Sequence, residues 1–290
     1  MKGGRGEKQA EGAMVHEELQ SKYEALQAIL RATGGALVAY SGGVDSTLLV
    51  RVAQAALGDR VLAVTARSET YPEQEVEEAL LLARELGVRL REIHTHELER
   101  EEFASNPPER CYYCKQELFG TLLEMAREEG LPVVMDGANV DDTGDFRPGA
   151  RAARELGVRS PLREAGLTKQ DIRDLSRELG LPTWDKPSFA CLASRFPYGD
   201  RITPAELHKV QAAEQVLREQ GFRQFRVRNH GDIARIEVES EQLAVLLQPG
   251  RRERIAACFH ALGYAYVTLD LDGYRTGSMN AVLTQAERGE

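Results

Sequence analysis

The sequence predicts an α/β protein in two parts: an N-terminal domain with a parallel sheet flanked by helices, and a small C-terminal α+β domain. Three observations carry that prediction. Short apolar runs alternate with amphipathic stretches over the first two-thirds of the 290 residues, the pattern of strands joined by crossover helices. An irregular stretch over 182–203 interrupts the alternation. Beyond Pro204 the order changes to helix, paired strands, helices and a last strand.

In chain order, residues 36–40 read as a buried strand, 45–57 as a helix and 61–65 as the next strand. Residues 72–86 are a helix with proline at an early position, where its missing N–H costs nothing. Residues 88–93 read as a strand, 115–129 as a helix and 132–135 as a short strand. Thr168 caps a helix that ends near Leu179 with Gly180 closing it. The second part starts with a helix over 204–220. Strands 224–229 and 233–239 follow, joined by the hairpin turn His230-Gly231-Asp232. Two helices between 240 and 262 are interrupted at Pro249-Gly250, and 264–271 is the last strand. This divides the chain into a disordered tail (1–17), an N-terminal domain (18–182), a cysteine-bearing loop (183–203), a C-terminal domain (204–280) and a final tail (281–290).

Hydrophobic residues at 42% and charged residues at 29% are ordinary for a soluble globular chain. No apolar run approaches a membrane span, and the charged, glycine-rich start lacks the apolar core of a secretory signal, so a cytoplasmic location is expected. The net charge of −9 lacks the electrostatic footprint of a nucleic-acid binder. A small anionic substrate remains compatible, since a local arginine cluster can hold it. Four cysteines, Cys111, Cys114, Cys191 and Cys258, suit metal, catalytic or core roles better than disulfides in such a compartment.

The string Ser41-Gly42-Gly43-Val44-Asp45-Ser46 lies between an apolar strand and a helix. Two glycines let backbone approach an anion, the helix N-terminus presents unpaired N–H groups, and Ser41 and Ser46 add hydroxyls. No lysine follows the glycines, so this is not a Walker A loop. A bare Gly-Gly would be read as a plain turn, but the full string resembles the signature of the PP-loop ATP pyrophosphatases. That resemblance implies adenylation, with attack at the α-phosphate, loss of pyrophosphate with Mg²⁺, and Asp45 as partner of the metal or its water. Arg67 and Ser68 end the second strand, where adenine or the α-phosphate should lie. Gly137, Asn139 and Asp142 follow the fourth strand. There the glycine would admit the ribose and the carboxylates a metal, unless the segment is only a solvated Asx turn.

Cys111 and Cys114 form a C-x-x-C just before a helix, and Cys191 sits in the irregular loop. Three thiolates match an iron–sulfur cluster with one iron left open, with zinc or free thiols as alternatives. Cys258, among apolar neighbours at helical spacing, reads as a buried core thiol. Arg226 and Arg228 alternate on a strand opposite Glu237. Spacing alone favours a solvated hairpin face, and the functional alternative is a phosphate clamp with Arg195 and Arg275.

The ordered strings SGGVDS, NPPERCYYCK, DGANVDDTGDFRPG, SPL and KPSFACLASRFPYGDRIT, then FRVRNHGDIARIEV and VTLDLDGYRTGSMN, resemble the LarE sulfur transferases over residues 18–280. The resemblance implies an adenine nucleotide α-hydrolase-like PP-loop fold. It implies a pyridinium biscarboxylate mononucleotide as substrate, whose carboxylates are adenylated and converted to thiocarboxylates for the nickel-pincer cofactor of lactate racemase. In one branch the cysteine matching Cys191 gives up its own sulfur and becomes dehydroalanine. In the other, three cysteines hold a 4Fe–4S cluster, and this chain has all three. Arg226, Arg228, Glu237, Ser194 and Arg195 match positions associated with a phosphate of the substrate or an intermediate. A homohexamer is implied, working between an upstream carboxylase and a downstream nickel-inserting enzyme. The rivals are other PP-loop reactions, namely tRNA thiolation or amide synthesis, and a non-enzymatic ATP- or redox-sensing cluster protein. The acidic charge argues against tRNA, and no glutaminase domain supplies ammonia.

Overall fold

Ala36–Ala39 (β1) runs parallel to Val61–Arg67 (β2), with Ala36 opposite Val61 and Ala39 opposite Val64. On its other side β1 pairs in parallel with Val134–Met135 (β4), and β2 pairs with Leu90–His94 (β3). The order β3-β2-β1-β4 is the expected parallel sheet. The structure is a computed structural model and describes residues 4–144, 148–275 and 277–284. Of the expected tail over 281–290, residues 285–290 lie outside them.

Parallel strands are covered on both faces, and alternation along β1 and β2 decides which side chain enters which layer. Ala36, Val38, Val61 and Ala63 face one core, with Leu26 and Leu30 of helix α1 (Gly4–Thr33), Leu48 and Leu49 of α2 (Val44–Leu57) and Ala79 of α3 (Glu73–Glu85). Leu37, Leu62 and Val64 face the other, against Phe119 and Leu122. Each fully buried leucine or phenylalanine contributes about 1.5–3 kcal/mol relative to exposure. After β3 come α4 (Glu101–Ala104), α5 (Arg110–Glu128), then α6 (Pro148–Glu155), α7 (Pro161–Glu164) and α8 (Lys169–Glu178). Thr168 caps α8 in a full capping box with Asp171.

The second part holds α9 (Pro204–Glu219), β5 (Phe225–His230), β6 (Ile233–Val238), α10 (Leu243–Leu246), α11 (Arg251–Ala261) and β7 (Tyr266–Leu269). β5 and β6 form the expected antiparallel hairpin, and β6 pairs in parallel with β7. Phe225, Val227, Ala234 and Ile236 pack on Leu217 of α9 and on Ile255 and Phe259 of α11. A further cluster of Phe103, Leu192, Phe196, Leu207 and Val210 joins the first part, the irregular loop and α9. Although irregular, the loop is pinned. Leu192 N donates to Thr70 O at 2.7 Å, Ile202 N to Ala104 O at 2.8 Å, and Arg173 Nη1 to Trp184 O at 2.7 Å.

Three expectations need correction. Helix α1 runs through positions 4–17, assigned to a disordered tail; glutamate, lysine, glutamine and alanine there are strong helix formers. Helix α5 begins at Arg110, not at 115, because Pro107 and Pro108 pre-set its entry. The C-x-x-C therefore lies inside the helix. Cys258 is exposed; α11 buries Ile255 and Phe259, four residues apart, and Cys258 falls beside that stripe. Among the described residues no helix is long and apolar enough to cross a membrane.

Candidate active site

The phosphate loop leaves the carboxyl end of β1 and enters α2, where open α/β sheets bind ligands. Gly42 has φ +68°, and a Cβ there would lie 2.5 Å from Ala79 Cβ on α3. Its missing side chain is thus required by packing as well as by backbone conformation. Gly43 is the residue that keeps the loop open: a Cβ there would meet only Ser41 Oγ, at 3.4 Å. Ser46 Oγ accepts from Ser41 N at 3.2 Å and lies 3.2 Å from Ser41 Oγ, closing the loop on itself.

Gly137 does a different job from the one expected. A Cβ on it would stand 3.1 Å from Ser46 N and 3.3 Å from Asp45 Cβ, so it lets the segment after β4 press against the phosphate loop rather than admitting a ribose. That contact delivers Asn139, whose Nδ2 donates to Asp45 Oδ1 at 3.1 Å. Asn139 N donates to Asp142 Oδ2 at 2.9 Å, and Asn139 Oδ1 accepts from Asp141 N at 2.9 Å. The other oxygen of Asp45 is ion-paired with Lys169, whose backbone N donates to Asp141 Oδ2 at 2.7 Å. Lys169 was missed in the sequence because it directly follows the cap Thr168 and reads as a first-turn surface residue. It brings to the loop the cation that the loop itself lacks.

Arg67 and Ser68 are not turned toward a nucleotide. The Arg67 guanidinium lies among Glu92, Glu77 and Glu73, and hydrogen bonds to Glu92 and then Glu77 raise its pKa further. Ser68 Oγ donates to Glu97 at 2.6 Å. Both line a cavity of about 320 Å³ at the ends of β2 and β3, with Tyr71, Thr95 and His208.

Cys111 and Cys114 lie in the first two turns of α5, three residues apart and so on one face. Cys191 precedes a short 3-10 turn over 192–195. Cys114 and Cys191 pack beside the same Phe103–Leu192 cluster. Burial pushes the Cys114 thiol up to about 12; Lys115 opposes this, while Glu97, Cys191 and Cys111 add to it. The Tyr71 hydroxyl is likewise raised, first by the charge of Cys114, to which it hydrogen-bonds, then by burial, Glu97 and Cys191. Cys114 thus stands within electrostatic reach of both other thiols. Among the described residues no three His, Cys, Asp or Glu side chains converge to hold a metal ion. A zinc site needs ligands aimed at one point, whereas the thiolates of an iron–sulfur cubane bind separate corners. By donor type, three thiols suit the corners of an iron–sulfur cluster.

The arginine face of the hairpin is buried, neither solvated nor free. Arg195 is fully buried, with Nε and Nη2 on the two oxygens of Glu214 at 2.8 and 2.9 Å. Its Nη1 reaches Ala190 O and Ser194 Oγ, each at 2.8 Å. Arg228 forks onto Glu237 at 2.9 and 2.8 Å and reaches Ser194 O at 2.6 Å. Arg226 holds only carbonyls, Phe225 O at 2.6 Å and Ser188 O at 2.7 Å, between the rings of Phe189 and Tyr274. Burial lowers its pKa to about 10, and the like charge of Arg195 contributes. Arg235 also reaches Glu237, at 3.4 Å, and pairs with Asp270, so Arg226 is the guanidinium of this face without a carboxylate. Burial pushes Glu214 up, but the charge and hydrogen bonds of Arg195 outweigh it and its carboxyl ends below the usual value. Arg275 does not join the group: it is exposed and pairs with Asp272 at 2.8 Å. Glu214 carried a signal in the sequence. It takes a core position in the 207, 210, 214, 217 spacing of α9, whose other members are apolar and buried.

A family model described as NAD synthase matches residues 16–110. The chain is similar to the pyridinium-3,5-bisthiocarboxylic acid mononucleotide synthase of Lactiplantibacillus plantarum, with 40% identity over 93% of this chain and 97% of that protein. An uncharacterised protein of Synechocystis sp. is 44% identical over 92% of this chain and 100% of its own length. Another from Methanocaldococcus jannaschii is 30% identical over 83% of this chain and 90% of its own. With a phosphate loop of PP-loop type and a relative this similar along nearly its whole length, the chain belongs to the LarE family of ATP-using PP-loop enzymes.

Proposed function

We propose that the enzyme uses ATP to activate the carboxylates of a pyridinium biscarboxylate mononucleotide and converts them to thiocarboxylates. The observation that carries this reading is the placement of the phosphate loop and the three thiols on one carboxyl edge of one sheet. The loop follows β1, and the cysteine loop is tied by Leu192 N–Thr70 O to the turn after the neighbouring β2. A carboxylate is a poor acceptor until its oxygen has attacked the α-phosphorus and pyrophosphate has left. The acyl adenylate then offers AMP as leaving group to a sulfur nucleophile held nearby.

In this reading Gly43 and the N-terminus of α2 receive the phosphates of ATP. Asp45 and Asp142 serve Mg²⁺, and Lys169 passes from Asp45 to the leaving pyrophosphate. Cys111, Cys114 and Cys191 hold a 4Fe–4S cluster, which when bound offers an iron site for sulfide; the alternative donor is the sulfur of Cys191 itself. Arg226, buried and held only by carbonyls, takes the substrate phosphate. The enzyme works in the cytoplasm as a homohexamer, between a carboxylase and a nickel-inserting enzyme.

Anaerobic turnover with the mononucleotide, ATP and a sulfide source tests the reading. Pyrophosphate and AMP should form only with the mononucleotide present, and thiocarboxylate should appear by mass spectrometry. Pyrophosphate without thiocarboxylate would sink the sulfur-transfer half. An intact Cys191 after several turnovers supports the cluster; loss of one sulfur from it supports sacrifice.

A further inference from the structure

The C-x-x-C, the loop of Cys191 and the arginine face come from three separate stretches of chain, and one buried cation stands where they meet. Arg110 opens α5 directly before Cys111 and is 3% exposed. Among the described residues its guanidinium meets neutral groups. Nη1 donates to Asn106 Oδ1 at 2.5 Å, Nη2 to Met279 Sδ at 3.4 Å, and the ring of Tyr198 is centred 5.2 Å from the guanidinium carbon. Nε is buried without a hydrogen-bond partner. An apolar side chain of that size would cost less to bury. What a guanidinium adds is direction, because its planar fork fixes which groups lie beside it.

Asn106 has φ +54°, the one left-handed backbone among the described non-glycine residues. Arg110 holds its side-chain oxygen, which turns Nδ2 toward the cysteine loop, where it donates to Pro197 O at 2.6 Å. Asn106 O accepts from Gly199 N at 2.9 Å. Three consecutive residues reach the same junction from the C-terminal part. Ser278 Oγ accepts from Arg228 Nη2 at 2.9 Å, Met279 Sδ accepts from Arg110, and Asn280 Oδ1 accepts from Tyr198 Oη at 2.9 Å. Leu283, buried three residues further on, anchors this segment. One tripeptide therefore touches the arginine face, the C-x-x-C helix and the cysteine loop.

We propose that Arg110 and the segment Ser278-Met279-Asn280 form a positioning clasp. It holds the C-x-x-C helix and the Cys191 loop in one register with the arginine face, so that sulfur meets the activated carboxylate of a substrate whose phosphate is bound there. The inference rests on the sulfur-transfer reading above. Arg110 and Asn280 act through the elements they join and are positioning residues.

The test uses full-length protein in anaerobic single turnover with the mononucleotide, ATP and a sulfide source, with pyrophosphate and thiocarboxylate both measured. Arg110→Met keeps the bulk and removes the fork; Asn280→Ala removes only the link to Tyr198. Both should release pyrophosphate within about twofold of wild type, while thiocarboxylate formed per pyrophosphate falls about tenfold, as water takes the adenylate that sulfur no longer reaches. Arg110→Lys, which keeps the charge and a donor for Asn106, should recover about half of that ratio or more. Hydrogen exchange in metal-free, nucleotide-free protein gives a readout apart from activity. Amides over 192–202 should exchange about tenfold faster in both variants, with those of β1 and β2 unchanged. An equal fall in both products, a wild-type product ratio or unchanged exchange over 192–202 overturns the clasp. Wild-type protein that releases pyrophosphate without thiocarboxylate overturns the sulfur-transfer reading instead, and the exchange result is read independently of it.

Discussion

The phosphate loop and the arginine face were both nominated as anion sites, and they differ in what already occupies them. At the loop, the anion would meet backbone N–H groups, and the space over Gly43 is open. The carboxylate of Asp45 is held to one side by Asn139 and Lys169. At the arginine face, two of three guanidiniums already fork onto Glu214 and Glu237. A backbone site is built by local conformation and waits for its ligand. A side-chain site buried this deeply cannot be left unpaired, because a bare buried charge costs several kcal/mol. Only Arg226, held by carbonyls, is left to exchange partners.

The sharpest way to break this contrast is at the loop. Asp45→Ala should reduce pyrophosphate formation by at least about 1000-fold, more than 4 kcal/mol of barrier, while thermal unfolding stays close to wild type. Retained pyrophosphate release would remove Asp45 from the chemistry. At the arginine face the loss should register in stability first. Arg195→Ala leaves Glu214 buried without its partner and should cost about 3–5 kcal/mol in urea unfolding. A loss under about 1 kcal/mol would show that the pair is solvated. The sign with pH follows from Glu214, whose carboxyl is held below its ordinary 4.5. Its contribution to stability is complete above that ordinary value and is lost as pH falls through the lower, folded value. Wild-type stability should therefore drop on acidification below 4.5, and Arg195→Ala should flatten that drop.

Arg226 sharpens the comparison. Because this buried cation is held only by carbonyls, its replacement by alanine should raise KM for the mononucleotide roughly 10- to 100-fold, about 1.4–2.8 kcal/mol, with KM for ATP changed less than twofold. An equal rise in both constants would make it a structural residue of the hairpin.

Local features were legible in the sequence and non-local pairings were not. The strand–loop–helix of Ser41 to Ser46 and the cap at Thr168 appeared where expected, because turn chemistry and capping act over a few adjacent residues. The partners of the arginines did not. Glu214 is 19 residues from Arg195 in sequence, and Lys169 is 124 residues from Asp45. No spacing rule links such positions. Arg67 misled for a similar reason: its place at a strand end suited a nucleotide, but the carboxylates that hold it come from β3 and α3. Glu97 gave no signal at all, since an isolated glutamate after a strand reads as solvated.

The cysteines repeat the contrast on a smaller scale. Burial raises the Cys114 thiol to about 12, so without metal it is almost wholly un-ionised at pH 8. Cys258 sits in apolar sequence surroundings yet is exposed, beside rather than within the stripe of Ile255 and Phe259. Iodoacetamide at pH 8 should therefore label Cys258 in the metal-free protein at least about tenfold faster than Cys114, since the thiolate is the reacting species. Cys258→Ser should change unfolding stability by no more than about 0.5 kcal/mol, as expected for a surface position away from caps and networks. A loss of about 2 kcal/mol would mean that α11 buries this face after all. In the proposed homohexamer, such a loss at low protein concentration would point to the helix packing within the subunit, whereas a loss that disappears on dilution would point to a face covered by a neighbour.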